Sequence, residues 1–373
     1  MRALTIVNSS LFAAFVLGVA AAAAARVEPV DLPSPGGWLD GRAAKAFESH
    51  YDERFPGRTL GTNLWAAIDY VLFDEGRPGV VVGADGWLYS DEEFKTYAGA
   101  DATVATHLAL VPWVRDELAR QGTQLVVALV PAKARIYPEH LGGRRPAALH
   151  EGLYARGLDA LRRHGIVAPD LVRTMEGCKN EQPAYLKTDT HWTAAGARCA
   201  ALAVRAAAGV EPAGPERYRT RTLAAAEPHR GDLLNFLPLD PYFAALLPRP
   251  EPIERRQTER VDDAGAGQGL LDDTGVPAVV LVGTSYSADP RWNLTGALQD
   301  ALQEDVANHA AEGKGPFAPM LDYLLNSEDL PAPPRLVIWE IPERYLPMAQ
   351  DLRALRHGAV PAGCAENPPQ TTL

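Results

Sequence analysis

The sequence of 373 residues is short of positive charge: 36 lysines and arginines stand against 47 aspartates and glutamates, for a formal net charge of −11. Proteins that bind nucleic acid neutralise its phosphates with basic residues, so this balance argues against such a partner. The three cysteines and nine histidines show no zinc-type spacing, so we expect neither a metal nor a cofactor. The sequence has no internal repeat and no low-complexity linker. With 47% apolar and 22% charged residues, it is typical of a globular protein that is neither disordered nor fibrous.

The N-terminus is apolar. Arg2 is followed by an alanine-rich run over residues 11–25, which ends before Arg26. This pattern is typical of a secretory signal peptide or of an uncleaved membrane anchor. Counted from Leu4, the run has about 20 residues and is long enough to span a bilayer. We therefore expect residues 1–26 to direct export, with a buried alanine helix as the alternative.

An exported chain can form one disulfide from its three cysteines and leave one thiol. Cys178 and Cys199 flank a segment with candidate catalytic residues, whereas Cys364 lies near the C-terminus. A Cys178–Cys199 bridge would close a loop of about 20 residues and contribute about 3 kcal/mol by chain entropy. The alternative is two reduced cysteines, with Cys199 as a small buried residue on a helix.

Apolar runs and amphipathic segments alternate along the chain. We predict strands at 124–130, 278–282 and 336–341, and helices at 64–73, 103–120, 153–164, 194–208, 294–303 and 317–325. Two short strands are expected around the Asp-Gly turn of residues 79–89, and a kink or break at Pro112. The alternation predicts one α/β domain over residues 27–356, with a parallel sheet covered by helices on both faces. Residues 357–373 read as a loose tail, and residues 212–275 as an insertion or an extended loop over the site.

Two short segments about ninety residues apart carry the candidate chemistry. Asp189 and His191 lie two residues apart, so in extended chain their side chains point to the same side. Ser285 follows Gly283 directly after an apolar strand, at the sheet edge where α/β proteins place their sites. A serine needs a neutral imidazole to take its proton, and the imidazole needs a carboxylate to fix its tautomer. Either segment alone reads as a turn or a helix cap, but together they predict a Ser-His-Asp triad.

The neighbouring residues allow more than one interpretation. Trp192 is expected to pack against the imidazole, to line a sugar site, or to be an ordinary core tryptophan. Tyr286 and Ser287 either contact substrate or only shape the turn after Ser285. These alternatives stay open at the level of the sequence.

The chain resembles a known family, the SGNH-like acyltransferases of the AlgX/AlgJ group, which O-acetylate polysaccharide in alginate assembly. The resemblance covers most of the chain after the export signal. It rests on separate motifs in the same order, at 55–58, 79–94, 130–133, 188–193, 283–287, 292–293 and 339–344. The chain ends soon after the last of these motifs, which leaves no room for a C-terminal carbohydrate-binding module. It is therefore more similar to AlgJ than to AlgX.

The resemblance implies an SGNH-hydrolase-like fold with a circularly permuted motif order, because the Asp/His pair precedes the serine. Ser285 would be the nucleophile that carries acetyl, His191 the base and Asp189 the residue that orients it. The usual Gly-Asp-Ser is Gly-Thr-Ser here, so the backbone N–H of Ser285 is the one oxyanion donor that we assign. The resemblance further implies a periplasmic location, a membrane-bound O-acyltransferase as the acetyl donor, and other polysaccharide-export proteins as partners.

The acceptor is expected to be an exopolysaccharide, most simply alginate, with acetylated cellulose and other polymers as alternatives. An acidic protein needs local cations to bind a polyanion, and the candidates near strand ends are Lys133, Arg135, Lys187, Arg291 and Arg344. Arg344, Lys133, Trp192 and Tyr286 are the predicted substrate-binding residues. An acetylesterase with the same triad and a scaffold without activity are the competing functions. The intact triad weighs against the scaffold.

Overall fold

The computed structural model describes residues 2–25, 40–55, 57–212, 215–223, 226–261, 277–327 and 332–350. Its contacts divide the chain into two compact units. One comprises Met1–Arg77 with Leu237–Leu247, and the other comprises Pro78–Phe236 with Pro248–Leu373. The predicted domain limits of 27 and 356 stay a prediction, and the predicted tail at 357–373 lies outside the described residues.

The bounds of the elements follow in chain order. The α-helices of the described residues are α1 Arg2–Ala24, α2 Arg42–Arg54, α3 Arg58–Phe73, α4 Ala100–Arg120, α5 Lys133–Ile136, α6 Ala148–Glu151, α7 Leu153–Arg163, α8 Leu171–Lys179, α9 Ala194–Ala208, α10 Ser285–Ala288, α11 Leu294–Leu302 and α12 Phe317–Asn326. The strands are β1 Val80–Val82, β2 Leu88–Ser90, β3 Gln124–Val130, β4 Tyr218–Thr222, β5 Glu227–His229, β6 Glu251–Ile253, β7 Arg256–Arg260, β8 Val279–Val282, β9 Val306–Asn308 and β10 Leu336–Pro342.

The described residues of the first unit include the α-helices α1 to α3. Within α1, Ile6–Ala23 is long and apolar enough to cross a membrane, which is compatible with a signal peptide or an anchor. Its side chains are largely exposed, so the alternative of a buried alanine helix is not observed. Helix α3 begins at Arg58, six residues before the predicted start.

The second unit is built on a parallel sheet of order β3-β10-β8-β9. Strand β10 pairs in parallel with β3 on one side and with β8 on the other. Strand β9, which the sequence analysis did not identify, pairs in parallel with β8. Four parallel strands place their carboxyl ends on the same edge of the sheet, and the candidate catalytic serine follows β8 at that edge.

The two faces of the sheet are covered by different helices, because successive strand residues point to opposite faces. One face packs Val126, Leu281 and Ile338 against α8, α9 and α11. The other packs Val127, Val282 and Trp339 against α4, α7 and α12. The predicted parallel sheet covered on both faces is therefore confirmed.

Three local expectations have clear outcomes. Of the predicted kink or break at Pro112, the break is not observed, since α4 continues through this residue from Ala100 to Arg120. The predicted disulfide is present, and it joins Cys178 to Cys199. Residues 212–261, expected as an insertion or loop, form β4 to β7 in two small antiparallel ribbons, while 262–276 lie outside the described residues.

Candidate active site

The candidate nucleophile and its partners meet at the carboxyl edge of the sheet. Ser285 is the first residue of α10, three residues after β8 ends. Asp189 and His191 lie in the loop before α9, whose first turn is capped by the side chain of Thr193. The sequence has brought residues from a loop and from a strand end within hydrogen-bonding distance.

The three predicted triad residues form one continuous chain of contacts. His191 Nε2 lies 2.8 Å from Ser285 Oγ, and His191 Nδ1 lies 2.6 Å from Asp189 Oδ1. Asp189 and His191 are buried, whereas Ser285 is partly exposed. Ser285 is thus the most exposed of the three, whereas 10% of the His191 side chain and 2% of the Asp189 side chain are exposed.

A buried glutamate fixes the turn that carries Ser285. Glu340 of β10 accepts hydrogen bonds from the backbone N–H of Thr284 at 2.7 Å and from the Ser287 hydroxyl at 3.0 Å. Burial raises the pKa of Glu340, while the hydrogen bonds from Thr284 and Ser287 oppose that rise. At Gly283 an added Cβ would lie 2.5 Å from Glu340 Oε2, so only glycine allows the two strands' ends to approach this closely.

Asp189 receives hydrogen bonds on both carboxylate oxygens. Its Oδ1 accepts from the backbone N–H of His191 at 3.0 Å in addition to the imidazole contact. Its Oδ2 accepts from the backbone N–H of Asp232 at 3.1 Å and lies 2.8 Å from His229 Nε2. Burial acts to raise the pKa of Asp189, but the hydrogen bonds from His191 and His229 prevail and hold it well below its ordinary value. The carboxylate is therefore ionised at neutral pH.

Lys133 binds the backbone of the loop that carries Asp189. Its side chain is buried, and Nζ donates to the carbonyl oxygens of Leu186 at 2.8 Å, Lys187 at 3.0 Å and Asp189 at 2.8 Å. Burial lowers the pKa of Lys133 to about 8, despite the nearby charge of Glu93. The ammonium uses its three donors on backbone carbonyls, so in this arrangement Lys133 holds the loop of Asp189.

Tyr286 connects the serine turn to the histidine loop. Its hydroxyl donates to the carbonyl of Thr190 at 2.5 Å, and Arg344 Nη1 donates to that hydroxyl at 3.2 Å. Trp192 Nε1 donates to the carbonyl of Tyr286 at 3.2 Å, and the two rings meet edge to face. Arg344 also lies 3.0 Å from a carboxylate oxygen of Glu92.

The four predicted substrate-binding residues are therefore gathered around the triad, but they are buried. Lys133, Trp192, Tyr286 and Arg344 contact the protein's own carbonyls, rings and hydroxyls rather than an open surface. Their hydrogen bonds link the segments that carry Asp189, His191 and Ser285.

Among the other candidate cations, Arg291 contacts an aromatic ring that stacks on the imidazole of the triad. Its guanidinium lies 4.9 Å from the ring centroid of Trp292, which stacks on His191 with centroids 5.2 Å apart. Arg291 pairs with Asp289, and 43% of its side chain is exposed. Arg135, by contrast, is bound to Glu343 and to backbone carbonyls.

The sequence analysis missed His229 and Asp232. Gly231 allows the segment of His229 and Asp232 to pack against Thr188, because an added Cβ at Gly231 would lie 2.0 Å from the carbonyl oxygen of Thr188. Asp232 accepts from the backbone N–H of Thr190 at 2.8 Å and from its hydroxyl. The local sequence His-Arg-Gly-Asp was visible, but nothing in it indicated a partner forty residues earlier in the chain.

Asp189, His191 and Asp232 also offer ligand atoms that lie within 4.8 Å of one another. These atoms are already engaged: Asp189 Oδ1 with His191 Nδ1, and Asp232 with Thr190. Their geometry is that of a hydrogen-bonded network, and it can remove a proton from Ser285 without a metal ion.

Comparisons with known proteins agree with this chemistry. A family model described as an SGNH hydrolase-like domain, acetyltransferase AlgX, matches residues 80–343. The chain is 48% identical over 355 residues to the probable alginate O-acetylase AlgJ of Pseudomonas putida, which covers 94% of this chain and 92% of that protein. It is 52% identical over 320 residues to the probable alginate O-acetylase AlgJ of Azotobacter vinelandii, with coverage of 84% and 81%. Among solved structures, the O-acetyltransferase domain of Pseudomonas putida AlgJ matches with a TM-score of 0.67 and 47% identity, over 74% of this chain and 95% of that one.

Proposed function

We propose, from the premise that this chain belongs to the AlgX family of SGNH hydrolase-like acetyltransferase domains, that it O-acetylates alginate through an acetyl-serine intermediate. The resemblance seen in the sequence is confirmed at the level of the family, and the relatives named above are called alginate O-acetylases. The acetyl-serine step and the roles of the individual residues are our proposal.

The first half of the reaction loads the enzyme. Ser285 Oγ gives its proton to His191 Nε2 and attacks the acetyl carbonyl carbon of the donor. The oxyanion that forms accepts a hydrogen bond from the backbone N–H of Ser285. When the intermediate collapses, the bond to the donor's leaving group breaks and that group takes the proton from His191. The acetyl group is then esterified to Ser285.

The second half reverses these roles. A sugar hydroxyl gives its proton to His191 and attacks the acetyl carbonyl on Ser285. Collapse of this second intermediate breaks the bond to Ser285 Oγ, which recovers the proton from His191. The products are an O-acetylated sugar and the free enzyme. Asp189 remains ionised throughout and stabilises the imidazolium that each half produces.

One observation carries this proposal: the unbroken contact from Asp189 Oδ1 through His191 to Ser285 Oγ, with steps of 2.6 Å and 2.8 Å. Ser285, the last member of this chain of contacts, is the most exposed of the three residues. A protein that needed the fold alone would have no use for a buried ionised carboxylate, whose placement costs several kcal/mol unless it is hydrogen-bonded.

The buried residues around the triad have supporting roles in this account. Lys133 holds the Asp189 loop, while Tyr286 and Trp192 join that loop to the serine turn. Arg344 orients the hydroxyl of Tyr286. Direct contact with the polymer then falls to exposed groups at the mouth of the site.

Transfer and hydrolysis differ only in whether the second nucleophile is a sugar hydroxyl or water. Purified enzyme should be incubated with a small acetyl ester in three parallel reactions. One contains the ester alone, one also contains unacetylated mannuronate oligosaccharides, and one also contains cellulose oligosaccharides. We expect acetylated mannuronate oligosaccharides by mass spectrometry. Free acetate as the sole product in every reaction would establish an acetylesterase. Acetylation of the cellulose oligosaccharide alone would show that the acceptor is a neutral polymer and not alginate. No turnover in any reaction would favour a scaffold.

The location and the partners follow from the same proposal. The apolar helix α1 is compatible with export and with anchoring, so we place the catalytic unit in the periplasm. Its acetyl group would come from a membrane-bound O-acyltransferase, and the acceptor from the polysaccharide-export machinery. Fractionation of cells followed by detection of the protein tests the placement.

A further inference from the structure

We propose that His229 and Arg291 form a second hydrogen-bonded arm on Asp189, which fixes the orientation of this carboxylate toward His191. The inference rests on the proposed role of Asp189 in the triad. Both residues act through Asp189 and touch no reacting atom, so they are positioning residues.

The geometry places His229 on the far side of the carboxylate from His191. His229 Nε2 lies 2.8 Å from Asp189 Oδ2, while His191 Nδ1 lies 2.6 Å from Oδ1. His229 is 6% exposed, and its ring meets Trp292 edge to face with centroids 5.6 Å apart. One buried carboxylate therefore lies between two imidazoles.

The direction of each hydrogen bond in this arm follows from the two groups on either side of His229. The ionised carboxylate of Asp189 can only accept, so His229 Nε2, 2.8 Å from Asp189 Oδ2, must carry a proton. A guanidinium carries donors and no acceptor, and Arg291 Nη1 lies 3.4 Å from His229 Nδ1, so in the neutral ring Nδ1 accepts. Arg291 therefore supports the same tautomer from the other side of the ring and holds the ring in line with Asp189.

Arg291 is itself held in place. Its Nε lies 3.0 Å and 2.8 Å from the two carboxylate oxygens of Asp289, and Nη2 donates to the same group. Its face lies over Trp292. The acidic groups whose charge acts on Arg291 are Asp289, Asp189 and Glu312, while Asp232 donates its backbone N–H to Asp189 Oδ2.

The arm gives Asp189 a fixed rotation about its side chain. Without His229, Oδ2 would retain the backbone N–H of Asp232, and the carboxylate could turn away from the line between Oδ1 and His191 Nδ1. A hydrogen bond to a charged group contributes enough that its loss slows the supported step about 10- to 100-fold. Substrate binding would be unaffected, because neither residue needs to contact the acetyl donor.

The test compares His229→Phe, His229→Gln and Arg291→Met with wild type. Phe keeps the ring and removes the donor, whereas the amide of Gln can reach the position of Nε2 and donate. His164→Phe, at an exposed histidine after α7, is the matched control. The measurements are kcat and KM for a small acetyl ester, thermal unfolding, and nitrogen chemical shifts of the His229 ring in wild type and Arg291→Met.

We expect His229→Phe to lose 10- to 100-fold in kcat with KM unchanged, and His229→Gln to recover most of the loss. In wild type the neutral ring of His229 should carry its proton on Nε2, and Arg291→Met should keep it there, because the ionised carboxylate of Asp189 can only accept, and should lose less of kcat than His229→Phe. Should His229→Phe fail to fold, the tautomer measurement and His229→Gln decide the matter. Equal kcat for folded His229→Phe and wild type, or a wild-type proton on Nδ1, would overturn the inference. Absence of any turnover by wild type would instead contradict the proposed function, so failure of that function can be told apart from failure of the role proposed for His229.

Discussion

Replacing Lys133 with Met should lower kcat far more than it lowers the free energy of unfolding. The change removes the ammonium that donates to the carbonyls of Leu186, Lys187 and Asp189. The Lys187 carbonyl also accepts from Leu88 N–H at 2.9 Å, so two buried carbonyls lose the donor described here. Each loss costs about 1–3 kcal/mol.

An opposing contribution comes from the charge itself. Burial lowers the pKa of Lys133 from 10.5 to about 8, which corresponds to about 3 kcal/mol against the charged form in the folded protein. A methionine of similar length does not carry this cost. The two effects largely offset each other, so the free energy of unfolding should fall by at most about 3 kcal/mol, which an ordinary domain tolerates.

Activity should respond far more strongly. The Lys133 ammonium sets the backbone position of Asp189, and a displacement of about 1 Å in such a residue can cost about 100-fold in rate. We expect Lys133→Met to remain folded by urea denaturation and to lose about 100-fold in kcat for a small acetyl ester. Lys314→Met, at an exposed lysine, is the control and should match wild type. A folded Lys133→Met with wild-type kcat would refute the role of Lys133 as the support of this loop.

Three further predictions concern charge, covalent linkage and close packing. Because the pKa of Asp189 is depressed, its contribution to the free energy of unfolding is present above about pH 3.8 and is lost as the pH falls further. The free energy of unfolding of Asp189→Asn should therefore fall less steeply on acidification than that of wild type. Removing the Cys178–Cys199 bridge by a double serine substitution should lower the free energy of unfolding by about 3 kcal/mol in urea, and equal midpoints would contradict this. Gly283→Ala should reduce kcat at least about tenfold through its clash with Glu340, whereas Gly177→Ala, with open space around it, should not; equal kcat for the two would show that the clash is harmless.

The parts of the fold that follow from local pattern were predictable. Strand β3 occupies residues 124–130 as the apolar run indicated, and helix α9 begins after the Thr193 cap and ends at Gly209 in the left-handed conformation. The helix does not break at Pro112 because the surrounding residues of α4 pack their apolar side chains against the sheet, and this packing maintains the helix.

The site was predictable only in its first layer. The sequence pointed to Asp189, His191 and Ser285 by residue type and by their positions in a loop and after a strand, and the structure brings the three into contact. The contact of His229 with Asp189 depends on how β5 and the Gly231 turn fold back over residue 188, which no local pattern encodes.

Burial explains the remaining difference. Lys133 and Arg344 follow strand ends, and a cation in such a position suggested a polymer-binding surface. The structure instead surrounds them with carbonyls, carboxylates and aromatic rings. A sequence shows which residues carry charge, but the packing of distant segments decides whether that charge faces solvent or the interior.

The proposed mechanism requires that acetyl is carried on Ser285 and passed to a sugar. Wild type, Ser285→Ala and Ser287→Ala should each be mixed briefly with a small acetyl ester, quenched in acid and digested for mass spectrometry. We expect an acetyl group on Ser285 in wild type and in Ser287→Ala and none in Ser285→Ala, and we expect wild type to lose the group when mannuronate oligosaccharide is added before the quench. An acetylated Ser285→Ala enzyme that still acetylates the oligosaccharide at the wild-type rate would show that Ser285 is not the carrier.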